Sequence, residues 1–334
     1  MKRRSLALRS AQPKTGLLTR QDRPRSDAAS ARQTLGLVEP RSTADAEGHP
    51  QSATCPAKYL QCETPVRTEW SWYEAGTLKI ATFNINNINK RLHNLMAWLA
   101  KAQPDVVCLQ ELKAEQEAFP ASALGDLGYR GVWLGERSWN GVAILARDCD
   151  PVLTRSSLPG NPSDRQARYI EAAVNGVLIT SIYLPNGNPQ PGPKFDYKLA
   201  WFERLIEHGA ELMKAGVPVV LAGDYNVVPT AQDIYPTRSL DNNALIQPQS
   251  RQAYARLLAQ GWTDSLRKLQ HEGPLWTFWD YERNRWPLDK GMRLDHFLLS
   301  PTVCDRLVDG GVDRWVRGEV NASDHAPAWI MLDR

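Results

Sequence analysis

The chain has 334 residues, 40 Lys and Arg against 37 Asp and Glu for a net charge of +3, and 42% hydrophobic residues, enough to bury a core without cross-links. No window approaches the roughly 18 consecutive apolar residues of a membrane-spanning helix, which excludes one. The five cysteines (Cys55, Cys62, Cys108, Cys149, Cys304) are odd in number and share no CxxC spacing, which argues against a disulfide framework or structural zinc and points to a reducing compartment.

The charge is unevenly spread. Residues 1–76 hold 12 Lys and Arg against 8 Asp and Glu, a net of +4, which leaves a net of −1 for residues 77–334. The first stretch is rich in Arg, Ser, Ala and Pro and lacks sustained apolar periodicity. It is expected to be a disordered basic extension, because it cannot bury enough surface to offset the entropy of ordering. Its first 26 residues carry eight basic residues and one acid, Asp22, so a targeting segment and a mis-assigned start are the alternatives. No apolar run follows Arg4 as a secretory signal requires.

From Leu78 onward short apolar runs alternate with amphipathic stretches. Leu78–Phe83 reads as a strand, and Leu92, Leu95, Met96 and Leu99 then mark one face of a helix that Pro104 stops. Val106–Gln110 reads as a fully buried strand, followed by strands at Val142–Ala146 and Val177–Tyr183. Residues 198–215 are predicted helical, with Leu199, Phe202, Leu205, Ile206 and Leu212 inward and Gly216 at the stop. Val217–Ala222, Phe297–Leu299 and Ala328–Leu332 complete the strands. This mixture predicts an α/β fold of two packed sheets flanked by helices.

The informative pattern lies where those strands end. Asn84, Gln110-Glu111, Tyr183 with Asn186, Asp224 with Asn226, Asp295-His296 and Asp324-His325 each stand beside a predicted strand. One acid at a strand end is ordinarily a turn or cap residue; six such segments together predict a shared cleft. Four carboxylates there (Glu111, Asp224, Asp295, Asp324) would repel one another without a cation, and their oxygen donors suit a hard divalent ion such as Mg²⁺. With His325 placed to carry charge or move a proton, and Asn84 and Asn226 to orient phosphate oxygens, the set describes metal-assisted attack of water on a phosphodiester.

In these residues the sequence resembles the exonuclease III family of apurinic/apyrimidinic (AP) endonucleases, within the DNase I-like endonuclease/exonuclease/phosphatase superfamily. The shared motifs are FNIN, LQE, GDYN and SDH; WNGVAI, RQARYIEA, YLPNG, TFWDY and GMRLDH look specific to the branch. The resemblance runs from about Leu78 to the C-terminus and makes residues 77–334 the catalytic domain. It implies a four-layered α/β-sandwich, two mixed β-sheets flanked by helices. It further implies a Mg²⁺-dependent repair nuclease, with Mn²⁺ as a substitute, that cuts 5′ to abasic sites and degrades duplex DNA 3′→5′. The partners implied are double-stranded DNA, abasic sites and 3′ ends, with no membrane and a monomeric protein. The expected location is the cytoplasm, beside the nucleoid if the source is bacterial, with organelle targeting by residues 1–76 as the alternative.

Carried onto this chain, the resemblance gives catalytic roles to Tyr183, Asp224, Asn226, Asp295 and His325. Asp224 orients or deprotonates water, Asn226 holds the phosphate, Tyr183 serves the phosphate or leaving oxygen, and Asp295 steadies a charged His325. The metal surroundings expected are Asn84, Glu111, Asp224, Asn226, Asp324 and His325, with Glu111 the main ligand. Lys194 is expected at the phosphate, Phe278 or Trp279 at the pocket for the base-free sugar, and Arg293 at the substrate. One departure is Asp289, where the family often has Asn, which puts a substrate-side contact in question.

A domain of net charge −1 cannot hold DNA by bulk charge. Local cations must do so, and Lys90, Arg91, Arg137, Arg165, Arg168, Arg283, Arg285, Lys290 and Arg293 flank the motifs. Two other readings stand beside the leading one. A relative acting on a small or lipid phosphate ester shares the catalytic core but lacks a reason for YLPNG and TFWDY. A catalytically dead DNA-binding module would have lost an acid or His325, and none is lost.

Overall fold

A computed structural model describes residues 76–237 and 240–334; residues 1–75, and with them the expected basic extension, lie outside the described residues. The strands are β1 (Thr77–Asn84), β2 (Val106–Gln110), β3 (Tyr129–Leu134), β4 (Val142–Arg147), β5 (Val152–Arg155), β6 (Tyr169–Val174), β7 (Val177–Tyr183), β8 (Val219–Asp224), β9 (Thr263–Asp264), β10 (Asp295–Leu299), β11 (Leu307–Val312) and β12 (Ala328–Asp333). They form two six-stranded sheets, ordered β11-β12-β1-β2-β4-β3 and β5-β6-β7-β8-β10-β9. Each sheet is antiparallel except for its central pair, β1 with β2 and β7 with β8.

The layers follow from the alternation of side chains along each strand. One face of β1 and β2 (Leu78, Ile80, Val106, Cys108) meets Ile170, Ala172, Ile179, Val220 and Phe297 of the other sheet. The opposite face of the first sheet (Phe83, Val107, Leu109) packs on Leu95, Trp98 and Leu99 of the helix Leu92–Ala102. The outer face of the second sheet (Ile182, Leu221, Leu298) packs on Trp201, Phe202 and Leu205 of the helix Pro193–Ala215, and on Tyr254 and Leu257 of Pro248–Leu258. Strands covered on both faces must be apolar throughout, hence the unbroken runs in β2 and β8. The result is the helix–sheet–sheet–helix sandwich.

Two differences from the sequence reading are local. The long helix starts at Pro193 rather than 198, because a proline in the first turn has no N–H to leave unsatisfied. Its inward face carries Lys198 and Trp201, while Leu199 is only half-buried. Strands β3, β5, β6, β9 and β11 escaped apolar patterning: β3, β5 and β11 because one or both of their faces stay partly exposed, β6 because Glu171 interrupts its buried run, and β9 because it has only two residues.

Topology gathers the polar residues on one edge. The parallel pairs end together at that edge, and their antiparallel neighbours begin there: Asp295 opens β10 directly opposite Asp224, which closes β8. Gln110 ties the two sheets at this edge, its amide donating to Thr82 Oγ1 (3.1 Å) and Ser181 Oγ (3.0 Å), while Ser181 donates to the Leu109 carbonyl (2.9 Å). Gly223 is required here. Its φ of +152° and a Cβ position only 2.0 Å from the Ile182 carbonyl oxygen leave no room for a side chain where β7 and β8 close up.

Candidate active site

Asp224, at the end of β8, is the centre of the edge. Its carboxylate accepts from Asn84 Nδ2 (3.0 Å), the Asn226 backbone N–H (2.8 Å) and Asn226 Nδ2 (3.2 Å). His325 lies with Nε2 3.8 Å from Asp224 Oδ2 and Nδ1 2.8 Å from Asp295 Oδ2, so one imidazole stands between two buried carboxylates. Burial pulls the imidazole pKa down, but Asp295, Asp224 and Asp324 more than reverse this and push it up to about 10. That rise favours the charged imidazolium form of His325. Burial raises the Asp224 carboxyl; His325 and the hydrogen bonds oppose this, and the Asp295 charge adds to it. A carboxyl so raised is a better proton acceptor than an ordinary aspartate.

Glu111 forms a second group, one residue past β2. Its Oε1 accepts from Asn84 Nδ2 (2.9 Å) and from the Tyr183 hydroxyl (2.8 Å), and its Oε2 faces Lys113 Nζ at 2.7 Å. Burial pushes this carboxyl up, but the Lys113 charge and the three donors outweigh it and hold it below its ordinary value. Burial, with the neighbouring Glu111 charge, raises Tyr183 well above an ordinary phenol, so Tyr183 remains a hydroxyl donor. Lys113 Nζ also donates to Asn86 Oδ1 (2.7 Å), and Asn86 Nδ2 to Asp324 Oδ1 (3.0 Å), which links Glu111 to Asp324 through two side chains. Glu111, Lys113 and Asn86 adopt left-handed backbone (φ +53°, +48° and +48°). Such conformations cost on the order of 1–3 kcal/mol each for non-glycine residues and concentrate at functional sites.

The four expected carboxylates thus converge, and much of their repulsion is relieved within the chain by His325 and Lys113. What remains toward solvent, Glu111 and Asp324 with amides of Asn84 and Asn86 nearby, is a hard oxygen donor set. That chemistry fits Mg²⁺ or Mn²⁺, which take one or two carboxylates together with waters and a substrate phosphate, and does not fit a soft metal. No group of three or more His, Cys, Asp or Glu arranged around a common metal position exists among the described residues.

Asn226 is bound on both sides of its amide, donating to the Leu184 carbonyl (2.9 Å) and accepting from Asn186 Nδ2 (2.9 Å), which sets its orientation. Phe278 is half-buried, its ring 5.0 Å from that of His325, and it lines a cavity of about 170 Å³ with Asn186, Asn243, Met292, Arg285 and Lys290. Lys194 is exposed in the wall of a groove of about 470 Å³ beside Tyr183, Arg168, Trp139 and Asn186. A third opening, of about 500 Å³, is lined by Lys90, Arg91, Arg317 and Tyr281, whose hydroxyl reaches Asn86 at 3.4 Å. Basic residues therefore line each of the three openings, while Arg137, Arg165 and Arg283 line none of them.

Two expected substrate contacts are placed elsewhere. Trp279 is 0% exposed, its Nε1 donating to Asp289 (3.0 Å) and its ring edge-on to Trp286, so it is packing and not pocket wall. Asp289, also held by Arg314 (2.6 Å), belongs to that packing, which accounts for the departure at this position. Arg293 is 1% exposed and paired with Asp233 (2.7 Å) and Asp264 (2.8 Å), beyond reach of a ligand. Sequence reasoning missed Lys113 and gave no role to Asn86, the last residue of FNIN; the signal available was their spacing, each two residues after an assigned residue, Glu111 and Asn84.

Comparison with known proteins follows the same residues. The model of the Endonuclease/Exonuclease/phosphatase family matches residues 81–325. Exodeoxyribonuclease III of Haemophilus influenzae is 33% identical over 264 residues, covering 75% of this chain and 98% of that protein. The 3′-5′ exonuclease NExo from Neisseria meningitidis superposes with a TM-score of 0.74 at 38% identity, over 77% of this chain and 100% of that one. A 3′ phosphatase NExo structure with a product DNA hairpin bound gives the same values. An AP endonuclease from Archaeoglobus fulgidus gives a TM-score of 0.73 at 34% identity, over 77% and 100%.

Proposed function

This chain belongs to the endonuclease/exonuclease/phosphatase family, in its exonuclease III and AP endonuclease branch, and from that premise we propose that it is a metal-dependent, monomeric repair nuclease of duplex DNA. It cuts the phosphodiester 5′ to abasic sites and removes nucleotides from 3′ ends. The observation that carries this reading is the buried imidazole of His325 between Asp224 and Asp295, at the edge where both sheets end.

Asp224 accepts a proton from, and aligns, the attacking water. Asn226 and Asn84 donate to Asp224 and hold its carboxylate in place, and His325 stands ready to offset the charge that builds on the non-bridging oxygens. Tyr183, kept as a hydroxyl, donates toward the phosphate or leaving oxygen when it turns from Glu111. Glu111, with Asn84 and Asp324, would hold a divalent cation, Mg²⁺ or Mn²⁺, which when bound supplies Lewis-acid neutralisation of the phosphate. Lys194, Arg168, Lys90 and Arg91 hold flanking phosphates, reading backbone rather than sequence. The Phe278 cavity of about 170 Å³ receives the base-free sugar. A small phosphate ester would leave those basic borders without a purpose.

The test is incision of a duplex carrying one abasic site, alongside an undamaged duplex with a recessed 3′ end, with Mg²⁺ and with EDTA. Strand cleavage 5′ to the lesion that EDTA abolishes is expected. Folded protein that cuts neither duplex would overturn the reading.

A further inference from the structure

The mechanism above leaves a fully buried lysine unused. Lys198, on the long helix Pro193–Ala215, is 0% exposed. Its Nζ donates to three backbone carbonyls and to no carboxylate: Asn226 at 2.5 Å, Pro185 at 3.2 Å and Asn186 at 3.3 Å. Two of these oxygens belong to the loop after β7 and the third to the loop after β8. Those loops carry Asn186 and Asn226, whose side chains bond each other at 2.9 Å, and Asn226 in turn donates to Asp224.

An ammonium without an acidic partner is a costly thing to bury, and burial draws this one down to about 7 against the opposing pull of Asp224. A leucine would fill the same face of the helix at no such cost, so packing alone does not account for a lysine here. The chain also makes room for it. Gly187, at φ +88°, has a Cβ position 2.6 Å from Lys198 Cδ, so only glycine lets the lysine stem pass under the loop.

We infer that Lys198 is a positioning residue: it clamps the loops after β7 and β8 to the helix and so fixes Asn226, and through it Asp224, at the water- and phosphate-facing side of the site. Resting on the function proposed above, this predicts an effect on the chemical step and not on DNA capture, since Lys198 itself lies out of reach of DNA.

The variant is K198M, compared with wild type by single-turnover cleavage of an abasic duplex in Mg²⁺ and by binding of the same duplex in EDTA. The cleavage rate should fall by about 10²-fold, the scale of an ångström misplacement, with binding within about threefold of wild type. In the double variant K198M/N226A the further loss over N226A should stay within about threefold, because both changes act on one group. A folded K198M that cuts within about threefold of wild type, weakens DNA binding as much as cleavage, or multiplies its loss with that of N226A would overturn the inference. If K198M does not fold, G187A, which displaces the lysine stem from the loop side, decides: the same rate-selective loss is expected, and wild-type cleavage by folded G187A overturns the inference. Wild type that cuts no abasic duplex refutes the functional reading instead, so the two failures are distinguishable.

Discussion

Two clusters of buried charge flank the start of β10, two residues apart in sequence, and they are built to opposite rules. In one, Arg293 pairs with Asp233 and Asp264, and Arg267 pairs with Asp233 at 2.7 Å, so two cations meet two anions and every charge has a partner. Burial would raise the Asp233 carboxyl, but Arg293, Arg267 and Thr230 hold it well below the usual carboxylate range. In the other, one imidazolium serves two carboxylates, Asp295 Oδ1 has no partner, and the Asp224 carboxyl is pushed up. The first cluster is closed and structural. The second is under-neutralised, and its imidazole lies against Phe278, which lines one of the openings. Buried charge becomes informative about function when its balance is incomplete.

The largest effect tests the open cluster at its centre. Asp224→Asn keeps the shape and removes the proton acceptor, so cleavage of an abasic duplex should fall by about 10³–10⁴-fold while binding in EDTA persists. Residual cleavage within about tenfold of wild type would mean that water is activated elsewhere. The closed cluster should respond in stability. Arg293→Met leaves Asp264 without a cation and Asp233 with Arg267 alone, and should cost roughly 3–5 kcal/mol of unfolding free energy, read by denaturant titration. The salt dependence of DNA binding should not change, because Arg293 touches no phosphate. A lower salt slope would restore the role first expected of it.

The same strand also carries a pH prediction. Asp295 is the foremost source of the raised pKa of His325, so Asp295→Asn should cost on the order of 10²-fold in cleavage. The imidazolium of the wild type persists up to about pH 10. Without Asp295 that ceiling drops, and the alkaline limb of the rate profile moves to lower pH. For the closed cluster the sign is opposite. The depressed carboxyls of Asp233 and Asp264 contribute stability that is present above their unfolded pKa and lost as pH falls toward their folded ones. Acidification below about pH 4 should therefore destabilise wild type more than Arg293→Met.

The sequence carried the layers because β2 and β8 are covered on both faces and so run apolar almost to their ends, and β1 and β7 are buried along most of their length. It carried the centre of the site for a related reason: Asn84, Glu111, Tyr183, Asp224 and Asp295 sit where those runs stop or restart. What it could not carry was the fate of a side chain once the chain turns. Arg293 and Asp295 occur in one motif, yet one is sealed into ion pairs with residues 29 and 60 positions away and the other holds His325. Lys198 has the spacing of an inward residue, but its charge argued for solvent, and only three converging carbonyls reverse that. Phe278 and Trp279, adjacent and both aromatic, separate because Asp289 holds the indole of the second.

That last pair gives the smallest effect and a sharp one. Asp289 accepts from Trp279 Nε1 and from Arg314 at the border of the packing that backs the Phe278 cavity. Asp289→Asn keeps the size and one acceptor oxygen but loses the charge that pairs with Arg314. Because that ion pair is about half exposed, the cost should be only about 1 kcal/mol in stability. Cleavage of the abasic duplex should stay within about twofold of wild type, since neither residue meets substrate. Phe278→Ala should do the reverse. It removes a half-buried ring against His325, so stability should change little, while discrimination between an abasic duplex and an intact one should drop by about tenfold. If Asp289→Asn altered that discrimination and Phe278→Ala did not, the packing and pocket roles of the two neighbouring aromatics would have to be exchanged.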